Sequence, residues 1–278
     1  MSQDFDTEPV PDYLARTRLT GQVCAVVGGG RGIGRQTLHA LRQAGAQVIC
    51  IDTDLDRAQA VAAEVEGHAY KLDATRAEEV EAVFREIADR HGRLDAVVDI
   101  VGASMGAPVL SIEDELIRRN FELNLFQAMH VTRFAGAAMA KHGGGAIVLI
   151  GSIAGISNLP NQALYGSAKA ALHHFVRYAA TELGHLGVRV NAVAPGYVRT
   201  ERMVDRFSPE IWEEIAQNTP LQRAGQTPDI AGAALFLTSG LSDFVTGQVL
   251  VADGGLLNAP RIMKGSSARQ ITGKPIGD

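Results

Sequence analysis

Cysteine is scarce in this chain: 278 residues contain two, Cys24 and Cys50. Both fall in apolar runs that read as strands, so they are expected to be buried free thiols. No excess of basic residues is present; the net charge is −5, which argues against a nucleic-acid surface. No apolar run approaches membrane-spanning length, and no cationic segment followed by an apolar stretch opens the sequence. The expectation is a cytoplasmic protein with no membrane partner. The eight histidines show no metal-ligand spacing. His173 and His174 are adjacent on a predicted helix and point to different faces, so they read as structural and no metal site is expected. What remains is 46% hydrophobic and 21% charged, the balance of a globular enzyme or binding protein.

Glycine is plentiful, and its placement carries information. V-C-A-V-V, Val23 to Val27, reads as a buried strand bounded by glycines. G-G-G-R-G-I-G follows, Gly28 to Gly34, then an amphipathic helix to about Ala44 that Gly45 ends. A second strand, Gln47 to Ile51, finishes at Asp52. Strand, glycine turn, helix and strand ending in an acid make one βαβ unit. The glycines let backbone approach a pyrophosphate, which the helix N-terminus attracts through its free N–H groups. Asp52 stands where a carboxylate accepts the ribose hydroxyls of an adenosine and repels a 2′-phosphate, which favours NAD over NADP. Arg31 is either a solvated surface cation or a partner for a 2′-phosphate.

Alternation continues to the end of the chain. Strands are expected at Ala69 to Asp73, Leu94 to Val101, Ala146 to Ile150, Val188 to Val193 and Gly247 to Val251. Helices are expected at Ala77 to His91, Ile112 to Ala140 in two segments with Asn124 near their junction, Asn161 to Leu183, Ser208 to Gln217 and Pro228 to Thr238. The pattern predicts a single-domain α/β, Rossmann-like, doubly wound parallel sheet of about seven strands. Residues 1–20 read as an N-terminal arm, 21–257 as the domain, 201–221 as a substrate lid and 258–278 as a polar tail. Gly28, Asp52, Asp73, Gly102, Ser152 and Pro195 all come directly after strands and so converge on one edge.

Ser152, Tyr165 and Lys169 meet that edge. Tyr165 and Lys169 are four residues apart, which stacks them on one helix face. An ammonium beside a phenol stabilises the phenolate and lowers a pKa otherwise about 10. A phenol so tuned exchanges a proton with a carbonyl or alcohol oxygen, and Ser152 can bond the same oxygen.

Together these motifs resemble the short-chain dehydrogenases/reductases, from about Leu19 to Gly255. The family's T-G-x-x-x-G-x-G appears as V-G-G-G-R-G-I-G, with Val27 where threonine is usual. Its catalytic serine, tyrosine and lysine fall on Ser152, Tyr165 and Lys169, and its asparagine on Asn124 in L-N-L. The P-G turn is Pro195-Gly196, and the terminal D-G-G carries Asp253. The resemblance implies Tyr165 as acid–base, Lys169 on the phenol and the nicotinamide ribose, Ser152 on the substrate oxygen, and Asn124 holding a water that links Lys169 to solvent. Cofactor contacts are implied for Gly28, Arg31, Gly32, Ile33, Gly34, Asp52, Asp73, Ala74, Val101, Gly102, Pro195, Val198 and Thr200. It also implies a homotetramer or homodimer built on the helices around residues 124–140 and 161–183.

Two positions depart from the family pattern. N-N-A-G is here D-I-V-G, Asp99 to Gly102, and a buried Asp99 requires a hydrogen bond from backbone or a nearby cation. Val27 in place of threonine forgoes one local hydrogen bond, worth about 1 kcal/mol. Met105, Ile153, Leu159, Tyr197 and Met203 flank the catalytic positions and are expected to line the substrate pocket, so a hydrophobic or alicyclic alcohol is anticipated. The function expected is NAD-dependent interconversion of a secondary alcohol and its ketone. The alternatives are an NADPH-dependent 3-oxoacyl-type reductase and a catalytically silent dinucleotide-binding regulatory protein.

Overall fold

The computed structural model describes residues 9–259. The first 8 residues and residues 260–278, which include most of the expected tail, lie outside the described residues. The chain opens into β1 (Val23–Val27), α1 (Gly32–Gln43), β2 (Gln47–Asp52), α2 (Leu55–Glu64) and β3 (His68–Lys71). It continues through α3 (Ala77–His91), β4 (Ala96–Asp99), α4 (Asp114–Phe121), a π-helical turn at Glu122–Phe126 and α5 (Gln127–Ala140). Next come β5 (Gly145–Ile150), α6 (Ala163–Leu183), β6 (Val188–Pro195), β7 (Val198–Arg199), α7 (Glu201–Val204) and α8 (Pro209–Asn218). β8 (Gly225–Gln226), α9 (Thr227–Thr238) and β9 (Val249–Ala252) complete the described fold.

Seven strands form one parallel sheet in the order β3-β2-β1-β4-β5-β6-β9, the doubly wound α/β fold that the pattern predicted. The strands are nearly continuous apolar runs because both sheet faces are covered. Val97, Ile147 and Leu149 point into one cluster with Phe84, Val131 and Leu172 from α3, α5 and α6. Cys24, Val26, Val48 and Cys50 point the opposite way, against Leu38 of α1 and Ile230 of α9. Both cysteines are free thiols, and burial pushes the Cys50 thiol up to about 12.

Strand order reverses between β1 and β4, and the crevice at such a reversal is where sheets of this kind bind ligands. Several boundaries moved. β3 stops at Lys71, so Asp73 lies in the loop beyond it, and β4 is confined to Ala96–Asp99. The helix α2 was not anticipated. Its segment L-D-R-A-Q-A-V-A-A-E buries only Ala58, Val61 and Ala62, too little large apolar surface to show a period. Asp54 caps it by accepting the Arg57 N–H at 3.1 Å.

Candidate active site

The glycine turn after β1 is folded back on β2: Gly28 and Gly29 N–H both donate to Ile51 O, at 2.8 and 3.0 Å. Gly28 adopts φ +79°, which favours glycine. A side chain at Gly34 would collide with the Gly28 carbonyl oxygen, so glycine there lets α1 pack against the turn. Arg31 precedes α1 without a side-chain cap, leaving the first N–H groups of the helix pointing into the crevice. Asp52, 9% exposed, closes the other side. One of its oxygens accepts Gly30 N–H at 3.0 Å; the other accepts Asp54 N–H and Arg57 Nη2, both at 3.1 Å.

Across the crevice, Ser152 follows β5 and its Oγ accepts Ala154 N–H at 3.1 Å. Tyr165 and Lys169 occupy the first two turns of α6. Lys169 is 2% exposed; its Nζ donates to Ile150 O at 2.7 Å and lies 5.9 Å from the centroid of the Tyr165 ring. Burial lowers the ammonium to about 8, and Asp99 acts to raise it. The expected lowering of the Tyr165 pKa is not found. Burial holds the phenol above its ordinary value, against the pull of the Ser152 hydroxyl and the Arg202 charge.

Beneath these groups lies a second tier. Asp99, 2% exposed, is paired in register with Leu149, one residue before the carbonyl that holds Lys169. It accepts Val101 N–H at 3.0 Å, the backbone bond its burial demands. Burial raises its carboxyl to about 6, with that bond, Lys169 and Gln127 opposing. Asn124 sits in the π-helical turn, a feature frequent at functional sites. It is fully buried, exchanges bonds with both Ala103 N–H and O at 3.0 Å, and donates to Asn120 O at 3.0 Å. A side chain on Gly102 would stand 3.0 Å from Asn124 Oδ1 and 3.1 Å from Lys169 Nζ, so glycine keeps the space between them open. His173 is buried behind Ser152, whose N–H points to Nε2 at 3.4 Å; burial lowers its pKa to about 4, so it is a neutral acceptor. His174 packs on Tyr178. Among the described residues no His, Cys, Asp and Glu side chains gather as a metal site.

One cavity of about 780 Å³ joins the two sides. Gly28, Arg31, Gly32, Ile33, Asp52, Asp73, Ala74, Val101, Gly102, Ser152, Tyr165, Lys169, Pro195, Val198 and Thr200 line it, as do Ile153, Leu159, Tyr197 and Met203. Gly34 and Asn124 are not among its lining residues. Met105, expected in the pocket, is not among the lining residues; its carbonyl accepts Asn120 Nδ2 at 2.8 Å instead. Sequence reasoning missed Arg57, Gln162, Arg202 and Arg206, which also face the cavity. The apolar residues expected to flank the site are joined there by two guanidinium groups that α7 and the turn after it bring to the cavity. Their four-residue spacing was the available signal. The open space beside Gly102, the free N–H groups of α1 and the Asp52 carboxylate suit a dinucleotide.

The family model for enoyl-(acyl carrier protein) reductases matches residues 27–257. The chain is also 36% identical over 244 residues to the 7α-hydroxysteroid dehydrogenase of Escherichia coli (strain K12), covering 86% of this chain and 95% of that one. A solved short-chain type dehydrogenase/reductase from Mycobacterium ulcerans superposes with a TM-score of 0.84 at 34% identity, over 87% of this chain and 92% of the other. The chain belongs to the short-chain dehydrogenase/reductase family. A structure of 7α-hydroxysteroid dehydrogenase complexed with NADH and 7-oxo glycochenodeoxycholic acid is similar to this short-chain dehydrogenase/reductase with a TM-score of 0.83 at 35% identity, covering 87% and 96% of the two chains. As a member of the family, the short-chain dehydrogenase/reductase described here is an oxidoreductase acting on CH–OH groups.

Proposed function

We propose that the protein is a cytoplasmic, NAD-dependent dehydrogenase that interconverts a secondary alcohol and its ketone, with Tyr165 moving the proton at the substrate oxygen. The observation that carries this reading is the single cavity shared by the glycine turn, Asp52 and the Ser152, Tyr165, Lys169 set. The turn from Gly28 to Gly34, Asp52, Asp73, Ala74, Val101, Gly102, Pro195, Val198 and Thr200 would hold the dinucleotide. Its nicotinamide, when bound, accepts hydride from the alcohol carbon or gives it to the ketone carbon.

The chain's own residues handle the oxygen. Ser152 bonds it, and Tyr165 gives it a proton during reduction or takes one during oxidation. With its pKa raised by burial, the phenol rests protonated, which suits donation to a forming alkoxide. Oxidation requires the phenolate, which the nearby Lys169 and Arg202 charges stabilise and which higher pH favours. Asn124, with the open space beside Gly102, provides the place for a water through which Lys169 exchanges protons with solvent. Residues 201–221 act as the substrate lid. Phe126 and Tyr178, exposed on the π-helical turn and α6, support a homotetramer or homodimer assembled through the helices around residues 124–140 and 161–183.

Asp52 favours NAD because its carboxylate repels a 2′-phosphate. The Arg57 pairing and nearby Arg31 favour a second reading, an NADPH-dependent 3-oxoacyl-type reductase. Equilibrium affinities for NADH and NADPH separate the two. The reaction itself is tested with an alcohol panel and NAD, using wild type and Tyr165→Phe. If the variant keeps full turnover on an alcohol that wild type oxidises, the mechanism is wrong. A wild type that binds cofactor and oxidises nothing identifies a silent regulatory protein instead.

A further inference from the structure

We propose that Arg202 and Arg206 form a recognition site for an oxyanion on the substrate, so that the preferred substrate is a hydroxy acid and not a neutral alcohol. This inference rests on the dehydrogenase reading and deepens it. Arg202 lies on α7, and Arg206 follows one turn later. Arg202 Nη2 donates to Gly102 O at 3.1 Å, and Arg206 Nη1 points to Ser104 O at 3.4 Å. Each guanidinium has five N–H donors, so these contacts leave most of them free. Among the described residues no carboxylate lies within 4.0 Å of Arg202, Arg206 or Arg31.

The acidic side chains lining the cavity do not offset them. Asp52 is paired with Arg57, and Asp73 accepts both the N–H and the hydroxyl of Thr75. Glu201 also lines the cavity, beyond ion-pair distance of either arginine. Three cations therefore line one cavity with no carboxylate within ion-pair distance, and burial, with the Arg31 and Arg206 charges, acts against the charge on Arg202. A positive cleft of this kind concentrates anions. A planar guanidinium matches a carboxylate through two parallel hydrogen bonds, and two arginines hold it more firmly than one.

Position decides between substrate and cofactor phosphate. Arg31 stands before α1, on the phosphate side. Arg206 reaches over Ser104, whose Oγ donates to Gln162 Oε1 at 2.6 Å, at the start of the helix that carries Tyr165. Arg202 holds the Gly102 carbonyl, and a side chain on Gly102 would stand 3.1 Å from Lys169 Nζ, so this guanidinium is anchored on the loop beside the proton-transfer centre, in the cavity that Tyr165 also lines. An anion held there lies a short way along the substrate from the carbon that bears the hydroxyl.

The test compares 2- and 3-hydroxy acids of graded length with their methyl esters, in which the charge is removed and the carbon skeleton kept. Initial rates are measured at saturating nicotinamide cofactor, and binding to the NADH-loaded protein is measured by calorimetry. A hydrogen-bonded charge contributes enough for the best acid to exceed its ester in kcat/KM by about tenfold to a hundredfold. In Arg202→Gln and Arg206→Gln that ratio falls toward one, chiefly through KM. Using the ratio cancels any change in Tyr165, since acid and ester meet the same phenol. An ester used as well as its acid by wild type overturns the anion site and leaves the dehydrogenase reading standing. A tenfold loss of NADH affinity in Arg202→Gln with the ratio intact also overturns it, by assigning the arginines to the cofactor phosphates. Absence of turnover with acids and esters alike leaves the dehydrogenase reading to the alcohol panel; the calorimetric preference for acid over ester, and its loss in the variants, then decides the anion site alone.

Discussion

At the floor of the crevice Lys169 and Asp99 are each 2% exposed and tied to backbone, whereas at its mouth Arg202 and Arg206 are exposed and touch only carbonyl oxygens. Burial shifts the floor charges strongly, Lys169 down to about 8 and Asp99 up to about 6. It gives them the capacity to tune a proton transfer, at a cost in folding stability. The arginines at the mouth stay charged in solvent and keep free donors. Charge placed in the floor adjusts the chemistry, and charge placed at the mouth selects what enters. The two regions are separable by mutation, and each substitution below should disturb one and spare the other.

Tyr165→Phe strikes the floor hardest. Removing a general acid–base group lowers kcat by roughly 10²- to 10⁴-fold, while cofactor affinity measured by fluorescence titration stays near that of wild type. Asp99→Asn acts on the same region in the opposite sense for stability. The folded-state pKa of Asp99 is raised, so its favourable contribution is complete only below the unfolded value near 4 and is lost as pH rises through about 6. At pH 7 the buried carboxylate therefore costs up to about 3 kcal/mol, and Asp99→Asn should raise the denaturant midpoint there, with the gain vanishing near pH 4. The same change removes a negative charge that holds Lys169 protonated. The loss of activity attributable to deprotonated Lys169 should then begin at lower pH than in wild type. A variant with unchanged stability at pH 7 shows that Asp99 is already neutral. Smaller still is the expected effect of Asp52→Asn. Exchanging the carboxylate for an amide should reduce the NAD-to-NADP preference by about tenfold, the value of one hydrogen-bonded charge, and leave the acid-to-ester ratio at the mouth unchanged.

How much of this was readable in advance follows the same division. The glycine turn, Asp52, Ser152, Tyr165 and Lys169 depend on local backbone geometry and fixed spacing; the pattern puts the first three at strand ends and the last two on one helix face, and the sheet brings them together. The need of Asp99 for a partner followed from its place in an apolar run. Its actual relation to Lys169 did not, because that depends on β4 pairing with β5 in one register. Arg202 and Arg206 were hidden for another reason. Their segment carries a short helix and the small cluster of Trp212, Ile215 and Ala224, whose packing sets where α7 points, and no periodicity in residues 201–221 encodes that direction. The helix α2 was missed through its alanine content. Direction of the Tyr165 shift was misjudged because helix spacing reports proximity to Lys169, not desolvation.

The central claim is that Tyr165 carries the proton. Its most direct test is the pH dependence of kcat/KM for oxidation of one accepted alcohol with NAD, by wild type and Tyr165→Phe. The account predicts that wild-type kcat/KM rises with pH from neutral until Lys169 loses its proton at about 8, and that the variant is at least about 100-fold slower with that rise absent. A variant retaining the wild-type rate and the wild-type profile would contradict it.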